Sequence, residues 1–319
     1  MRNNPASQSG IFNSRLLLAF ALCSFGSLLG ALSFAATPSN SVAKANLNSR
    51  TQSQGVAKQP GMSLSPPAPP GQWTIVGSPG ITGSGAQNFL FGLSCVAAND
   101  CWTVGYILPP SSMPSITLIE HYDGATWSIA NSANSAGRAS FLQGVTCVSA
   151  SDCWAIGYYS NGNIFQTFIE HYDGTAWSIV SSPNTLDPQG NAWNDQLFAV
   201  TCNNASDCWA VGEAYISPGP FVYAGTPIIE HYDGATWSLV TSPPITGGAA
   251  NLYSVTCVSG SDCWAVGNTF TTLASQTLIE HYDGSAWSIV NSANSPNEAN
   301  YLYGVTCTSS NNCWAVGYD

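Results

Sequence analysis

LYSVTCVSGSDCWAVGN (Leu252–Asn268), followed after a short variable stretch by TLIEHYDGSAWSIVNS (Thr277–Ser292), decides the fold. LYSVTC alternates apolar and polar residues and is rich in β-branched side chains, which suits a strand. VSGSD is a turn, and CWAVG reads as the returning strand. TLIEHY is a third strand candidate. A DG turn then leads into AWSIV, the fourth. Gly and Asp between short apolar runs are hairpin signals. One unit is therefore a four-stranded antiparallel meander.

The unit recurs. Cysteines pair at one spacing as Cys95/Cys101, Cys147/Cys153, Cys202/Cys208, Cys257/Cys263 and Cys307/Cys313, with successive pairs starting 52, 55, 55 and 50 residues apart. Periods of this size announce repeat architectures. Four antiparallel strands repeated radially make a β-propeller. The expected fold is all-β, with blades of about 50 residues starting near residues 90, 142, 197, 252 and 302. The fifth unit stops at Asp319 after two strands. Two arrangements follow: a five-bladed ring with a thin last blade, or, as the favoured expectation, a fragment of a six- or seven-bladed ring. QWTIVGSPG (Gln72–Gly80) resembles the fourth strand AWSIVSSPN and is a candidate closing clasp.

The units resemble kelch-type propeller blades. That family has a Gly ending the second strand, a Tyr closing the third and a Trp in the fourth, as in Gly105/Tyr122/Trp127, Gly157/Tyr172/Trp177, Gly212/Tyr232/Trp237 and Gly267/Tyr282/Trp287. The chain departs from it by a single Gly where kelch has two, a shorter Tyr-to-Trp turn, and the added Cys pair. DGATW also resembles, more loosely, the Asp-box hairpin of sialidase-like propellers. Chains built of DCWAVG…IEHYDG…W units look like secreted bacterial repeat proteins.

Glu, His, Tyr and Asp stand together in every copy of IEHYDG, which raises the question of catalysis. All the histidines in the chain, His121, His171, His231 and His281, belong to it. A catalytic centre is assembled once, whereas a residue recurring in four blades occupies four equivalent places. The structural reading is therefore preferred for these His and for Glu120, Glu170, Glu230 and Glu280. Side chains alternate across a strand, so Glu of one blade and His of the next are expected to meet and staple adjacent sheets. The Cys pairs flank hairpin turns and are expected as disulfides. Trp102, Trp154, Trp209, Trp264 and Trp314, each following the second Cys, are expected between blades.

Charge restricts the partners. Residues 73–319 carry all 17 acidic residues and one basic residue, Arg138. Such a surface repels nucleic acid, whose binding rests on Lys and Arg. Contact with a membrane is expected only through the N-terminus, where Arg2 and Arg15 precede LLLAFALCSFGSLLGALSFAA. Residues 1–36 read as a signal peptide or, alternatively, an uncleaved anchor. Residues 37–71 read as a Ser/Pro-rich linker, and residues 72–319 as the propeller. The expected location is secreted or on the surface of a bacterial cell, and a monomer is expected.

Function is expected on the variable connections over a rigid scaffold. The ligand-binding candidates are Trp193, Asn194, Tyr158, Tyr159, Tyr215, Tyr223 and Arg138. Aromatics beside amides suit sugar recognition. The expected function is a non-catalytic extracellular scaffold that recognises glycan or protein. The alternative is a glycan-active hydrolase or lyase. A hydrolase needs two converging carboxylates, and the non-repeated candidates are Asp187, Asp195, Glu213 and Glu298. No cofactor is expected. Calcium suits the acidity, but no D-x-D-x-D-G loop is present.

Overall fold

The computed structural model describes residues 41–45, 73–80 and 85–319, except 111–112, 135–136, 188, 220–221, 246–247, 271–274 and 297. For residues 41–45, 73, 217–219 and 222–224 it describes backbone alone. The signal or anchor expected at residues 1–36 lies outside the described residues. So does most of the expected linker.

Every described element is a strand. β1 (Ser41–Ala45) pairs with β2 (Trp73–Gly77). Ser41–Ala45, expected as linker, is thus a strand. The first blade comprises β3 (Gln87–Ala97), β4 (Asp100–Leu108), β5 (Ile116–Tyr122) and β6 (Trp127–Ala130). The second runs through β7 (Ser140–Ser149), β8 (Asp152–Ser160), β9 (Phe165–Tyr172) and β10 (Trp177–Val180). The third holds β11 (Asn194–Asn204), β12 (Asp207–Gly219), β13 (Val222–Tyr232) and β14 (Trp237–Val240). The fourth holds β15 (Ala249–Ser259), β16 (Asp262–Phe270), β17 (Ser275–Tyr282) and β18 (Trp287–Ile289). β19 (Tyr301–Ser309) and β20 (Asn312–Tyr318) form a two-stranded fifth sheet.

Each blade is an antiparallel meander in sequence order. First strands of successive sheets lie side by side, β3 against β7, β7 against β11, β11 against β15 and β15 against β19. This sequential packing of four-stranded sheets through their first strands makes the chain a β-propeller. The first strands approach closely. A Cβ on Gly92 would come within 2.8 Å of the Val145 nitrogen. Small residues three before the first Cys meet that demand.

The core lies between blades. Trp102 packs on Tyr172 and Trp177 of the next blade, with ring centroids 4.8 and 5.3 Å apart. Trp154 repeats this with Tyr232 and Trp237, and Trp209 with Tyr282 and Trp287. Tilted and edge-on aromatic pairs of this kind add to the burial of their area. Leu142, Leu197 and Leu252 are fully buried in the same gaps.

All five Cys pairs are disulfides: Cys95–Cys101, Cys147–Cys153, Cys202–Cys208, Cys257–Cys263 and Cys307–Cys313. In each, the two Cys stand directly opposite in the ladder, with Cα atoms 4.0 Å apart. The bond therefore locks the register of the first hairpin. The pairs flank the hairpin turns as expected, and the second members of the first four are buried. Cys101, Cys153, Cys208 and Cys263 are all buried, the last three completely. Cys153, Cys208 and Cys263 pack within the apolar clusters between blades. The cause is the third strand, which sets Tyr122, Tyr172, Tyr232 and Tyr282 beside these four cysteines and covers their outer edge. Cys313, whose sheet has no third strand, is only half-buried. Five such bonds suit an oxidising compartment. Among the described residues no helix is long and apolar enough to cross a membrane.

Candidate functional site

The side chains of the repeated Glu-His-Tyr-Asp group make contacts within and between the blades. His121 Nε2 lies 2.8 Å from Asp100 Oδ1 of its own blade, and the other three pairs, His171–Asp152, His231–Asp207 and His281–Asp262, lie at 2.9 Å. Each ring also stacks on the Trp two residues beyond that Asp, at centroid distances of 4.1–4.2 Å. The expected Glu–His staple between blades is therefore replaced. The third strand places His beside the second strand of its own sheet, as in the pairing of His171 with Trp154. Its nearest carboxylate is thus the Asp at the start of that strand.

The glutamates do link blades, but to serines. Ser132 donates to Glu170 at 2.7 Å, Ser182 to Glu230 at 2.8 Å and Ser242 to Glu280 at 2.9 Å. In each case the hydroxyl comes from the segment joining the two blades. All four glutamates are fully buried. Burial pushes their carboxyls up, to about 8 in Glu230 and about 7 in Glu280. Tyr122 donates to the Gly124 carbonyl, and Asp123 accepts from the backbone of Ala125 and Thr126, closing the DG turn. Gly124 has φ of +95°, a conformation that requires Gly.

The candidate acids are dispersed. Asp187 is half-buried and holds a turn through Gln189 and Asn191. Glu298 is exposed. Asp195 is fully buried and accepts from the Thr185 backbone and hydroxyl. Glu213 is paired in the ladder with Gln196, whereas Asp195 is paired with Ala214. Adjacent ladder positions face opposite sides, so Glu213 and Asp195 do not flank one space. Burial raises the carboxyl of Glu230, and the charge of Asp195 adds to that rise.

The segment Glu213–Gly225 is a hairpin extension in which β12 continues to Gly219 and β13 starts at Val222. Fully buried Ala214 anchors that extension. Trp193 packs on the core between the second and third blades. Asn194 accepts from the Phe165 nitrogen and donates to the Tyr215 carbonyl. Tyr159 donates to Gln166, and the Arg138 guanidinium sits 5.9 Å above its ring. The Tyr223 side chain lies outside the described residues. Of the predicted ligand contacts, Tyr158 and Tyr215 alone join a larger cluster.

That cluster is a belt on the first two strands of every sheet. Each first strand carries a β-bulge, for example between Leu142 and Gly144. Opposite it stands the Gly of the second strand. A Cβ on Gly157 would lie 1.9 Å from the Phe141 carbonyl, and one on Gly212 would lie 1.8 Å from that of Gln196. The bulge sets one residue of each first strand between register positions: Phe91, Gln143, Phe198, Tyr253 and Tyr303. Beside it lies a cross-strand pair: Phe89–Tyr106, Phe141–Tyr158, Gln196–Glu213, Asn251–Asn268 and Tyr301–Tyr318.

Contacts run from blade to blade along this belt. Tyr106 meets Phe141 at 4.9 Å, Phe198 meets Tyr253 at 5.6 Å, and Tyr253 meets Tyr303 at 4.9 Å. Asn251 donates to Glu213 at 3.1 Å and to the Tyr253 hydroxyl at 2.9 Å. Gln196 donates to the Tyr215 hydroxyl at 3.2 Å. Burial and the Glu213 charge hold Tyr158 and Tyr253 well above the usual phenol range and push Tyr215 up to about 12. These hydroxyls therefore stay protonated and can donate. Both carboxamide atoms of fully buried Asn268, and Oδ1 of Asn251, meet no hydrogen-bond partner among the described residues.

Sequence reasoning missed most of the belt. Its signal is present as positional contrast within the repeat. Leu-x-small and (Val or Ile)-Gly-x recur in every blade, while x is Phe, Gln, Phe, Tyr and Tyr in the first and Tyr, Tyr, Glu, Asn and Tyr in the second. Among the described residues no cluster of three or more His, Cys, Asp or Glu could hold a metal ion.

Among solved structures, the chain is similar to a Penicillium chrysogenum α-L-arabinanase complexed with arabinobiose, at 12% identity and TM-score 0.42, over 77% of each chain. An exo-1,5-α-L-arabinanase from a bovine ruminal metagenomic library matches at 8% identity and TM-score 0.41, over 70% of this chain and 87% of its own. YCF48 bound to D1 peptide matches at 10% identity and TM-score 0.31, over 76% of this chain and 96% of its own. No protein-family model matches the chain. No curated protein matches it.

Proposed function

We propose that this protein is a secreted, non-catalytic binding module, built of kelch-like blades, that takes a neutral glycan along the inner-strand belt. The observation that carries the reading is the composition of that belt. Every blade places different side chains there, on one rigid frame. They are aromatic rings and amides, with Glu213 as the one carboxylate among the paired and bulged positions. Phe91, Tyr303 and Tyr318 are 46%, 36% and 46% exposed, which leaves ring area for stacking. Amides and neutral phenols supply donors and acceptors for sugar hydroxyls. Glu213 and Asp195 face opposite sides of their sheet, which disfavours them as the acid and base of a hydrolase.

The test is a thermal-shift screen with neutral and acidic oligosaccharides and with basic peptides, using Tyr303→Ala as control. A ligand at 100 times its dissociation constant adds about 2.7 kcal/mol. A neutral-sugar shift that is lost in the control supports the reading. A shift with peptides alone replaces it with protein recognition. Release of reducing ends during incubation replaces it with catalysis.

A further inference from the structure

The turn between first and second strands carries a polar side chain two residues after the first Cys. In the second blade Ser149 Oγ lies 3.3 Å from Ser151 Oγ and accepts from the Ser151 nitrogen at 3.3 Å. In the fourth blade Ser259 and Ser261 repeat this at 3.4 and 3.3 Å. A side-chain bond to the backbone two residues on tightens a turn. The third blade does the same with a carboxamide. Asn204 Oδ1 accepts from the Ser206 nitrogen at 2.9 Å and from the Ser206 hydroxyl at 2.8 Å. Serine serves the turn in the other two blades, so the turn alone does not call for Asn.

Asn204-Ala205-Ser206 is the one Asn-x-Ser/Thr sequence in the chain. That pattern takes a glycan on the Asn side chain when it stands on a surface turn of an exported protein. All three residues are exposed. The hydrogen bonds hold the Ser206 hydroxyl on the carboxamide it must accompany. Both engage Oδ1 and leave Nδ2, the atom that takes the sugar, out of use. The DG turn of the same blade steadies the arrangement, since a Cβ on Gly234 would lie 2.7 Å from that of Ser206. Cys202 and Cys208 are bonded on either side, and Asn204 pairs with Asp207 in the ladder. Asn203, which donates to Asp207 at 3.0 Å, stands where the second and fourth blades expose Val148 and Val258.

We propose that Asn204 is an N-glycosylation site. The donor is a sugar carried on a lipid pyrophosphate. Asn204 Nδ2 forms a bond to the anomeric carbon. The bond from that carbon to the pyrophosphate oxygen breaks, and the lipid pyrophosphate leaves with its electron pair. The Nδ2 proton passes to a base of the transferring enzyme. Export, where the modification occurs, also suits the five disulfides. The glycan stands away from the belt: Gln196 and Asn204 are eight residues apart on β11, about 25 Å of strand. The assignment therefore does not depend on what the belt binds.

The experiment secretes the full chain from a eukaryotic host and maps it by mass spectrometry before and after peptide-N-glycosidase, which converts a glycosylated Asn to Asp. The expected result is one glycan, with Asp at position 204 after release. Asn204→Ser, which installs the residue of the second and fourth blades, should be secreted without the glycan. Ser206→Ala should lose it as well, and Ser206→Thr should keep it. Where secretion fails, the reduced full chain incubated with an oligosaccharyltransferase and a lipid-linked oligosaccharide gives the same reading. An unmodified Asn204 in either format overturns the proposal, as does a glycan that persists in Asn204→Ser.

Discussion

The Ser182 hydroxyl lies 3.0 and 2.8 Å from the two carboxylate oxygens of Glu230, across the junction between the second and third blades. The bond does not offset the loss of solvent. Glu230 keeps a proton up to about pH 8, and Glu280 up to about pH 7.

This raised proton affinity fixes a pH dependence. The folded carboxyls titrate above their ordinary value of 4.5. The folded chain thus binds more protons than the unfolded one between that value and about 8. Stability therefore falls as pH rises through this window, and the contribution is fully present below the unfolded pKa. Thermal unfolding at pH 4.5 and at pH 8.5 checks it. Glu230→Gln should flatten the slope, and an unchanged slope in that variant would sink the assignment.

Gly212→Ala should be severe. The new methyl would sit 1.8 Å from the Gln196 carbonyl oxygen, where only backbone can give way. A loss of about 3 kcal/mol is expected from overpacking of this kind. Urea melts measure it, and Gly162→Ala, with nothing within 4 Å of the new Cβ but a φ of +101°, should cost less.

Removing the Cys202–Cys208 bond with paired Ala substitutions frees a small loop. The chain-entropy account gives about 2 kcal/mol. Denaturant unfolding of the double variant checks this, and a loss below a few tenths would show that β11–β12 holds its register without the bond.

His171→Ala removes the bond to Asp152 and the stack on Trp154. A loss of about 1–2 kcal/mol is expected, with ligand affinity unchanged. A variant of wild-type stability with altered sugar binding would move the histidines from architecture to recognition.

The fold was legible because the propeller unit is written four times almost verbatim. IEHYDG and CWAVG give strand period and turn chemistry together, and the Cys pairs mark one hairpin each. The depth of Cys101, Cys153 and Cys263 was not legible, because spacing shows which hairpin a bond closes and not what covers it. The partners of Glu and His were hidden too. Alternation says which side chains share a face, but Glu120 finds Ser78 and His121 finds Asp100 through inter-blade spacing and ladder register. The candidate site was half legible for a similar reason. Tyr158 and Tyr215 read as part of the variable connections and drew notice, although both lie in strands, whereas Asn251, Asn268 and Tyr253 sit in strands that read as scaffold. The bulge that turns Tyr253 away from neighbouring Leu252 has no consensus residue of its own; its trace is the Gly267 across from it.

That bulge separates two inheritances in one strand. Leu142, Leu197 and Leu252 stay committed to the gap between sheets, while the very next residue is released from it. Chemistry at Gln143, Phe198 or Tyr253 can thus be rewritten by single substitutions, without lengthening a loop or disturbing the core. Copies of one frame then offer a row of editable addresses, and new specificity needs no new backbone.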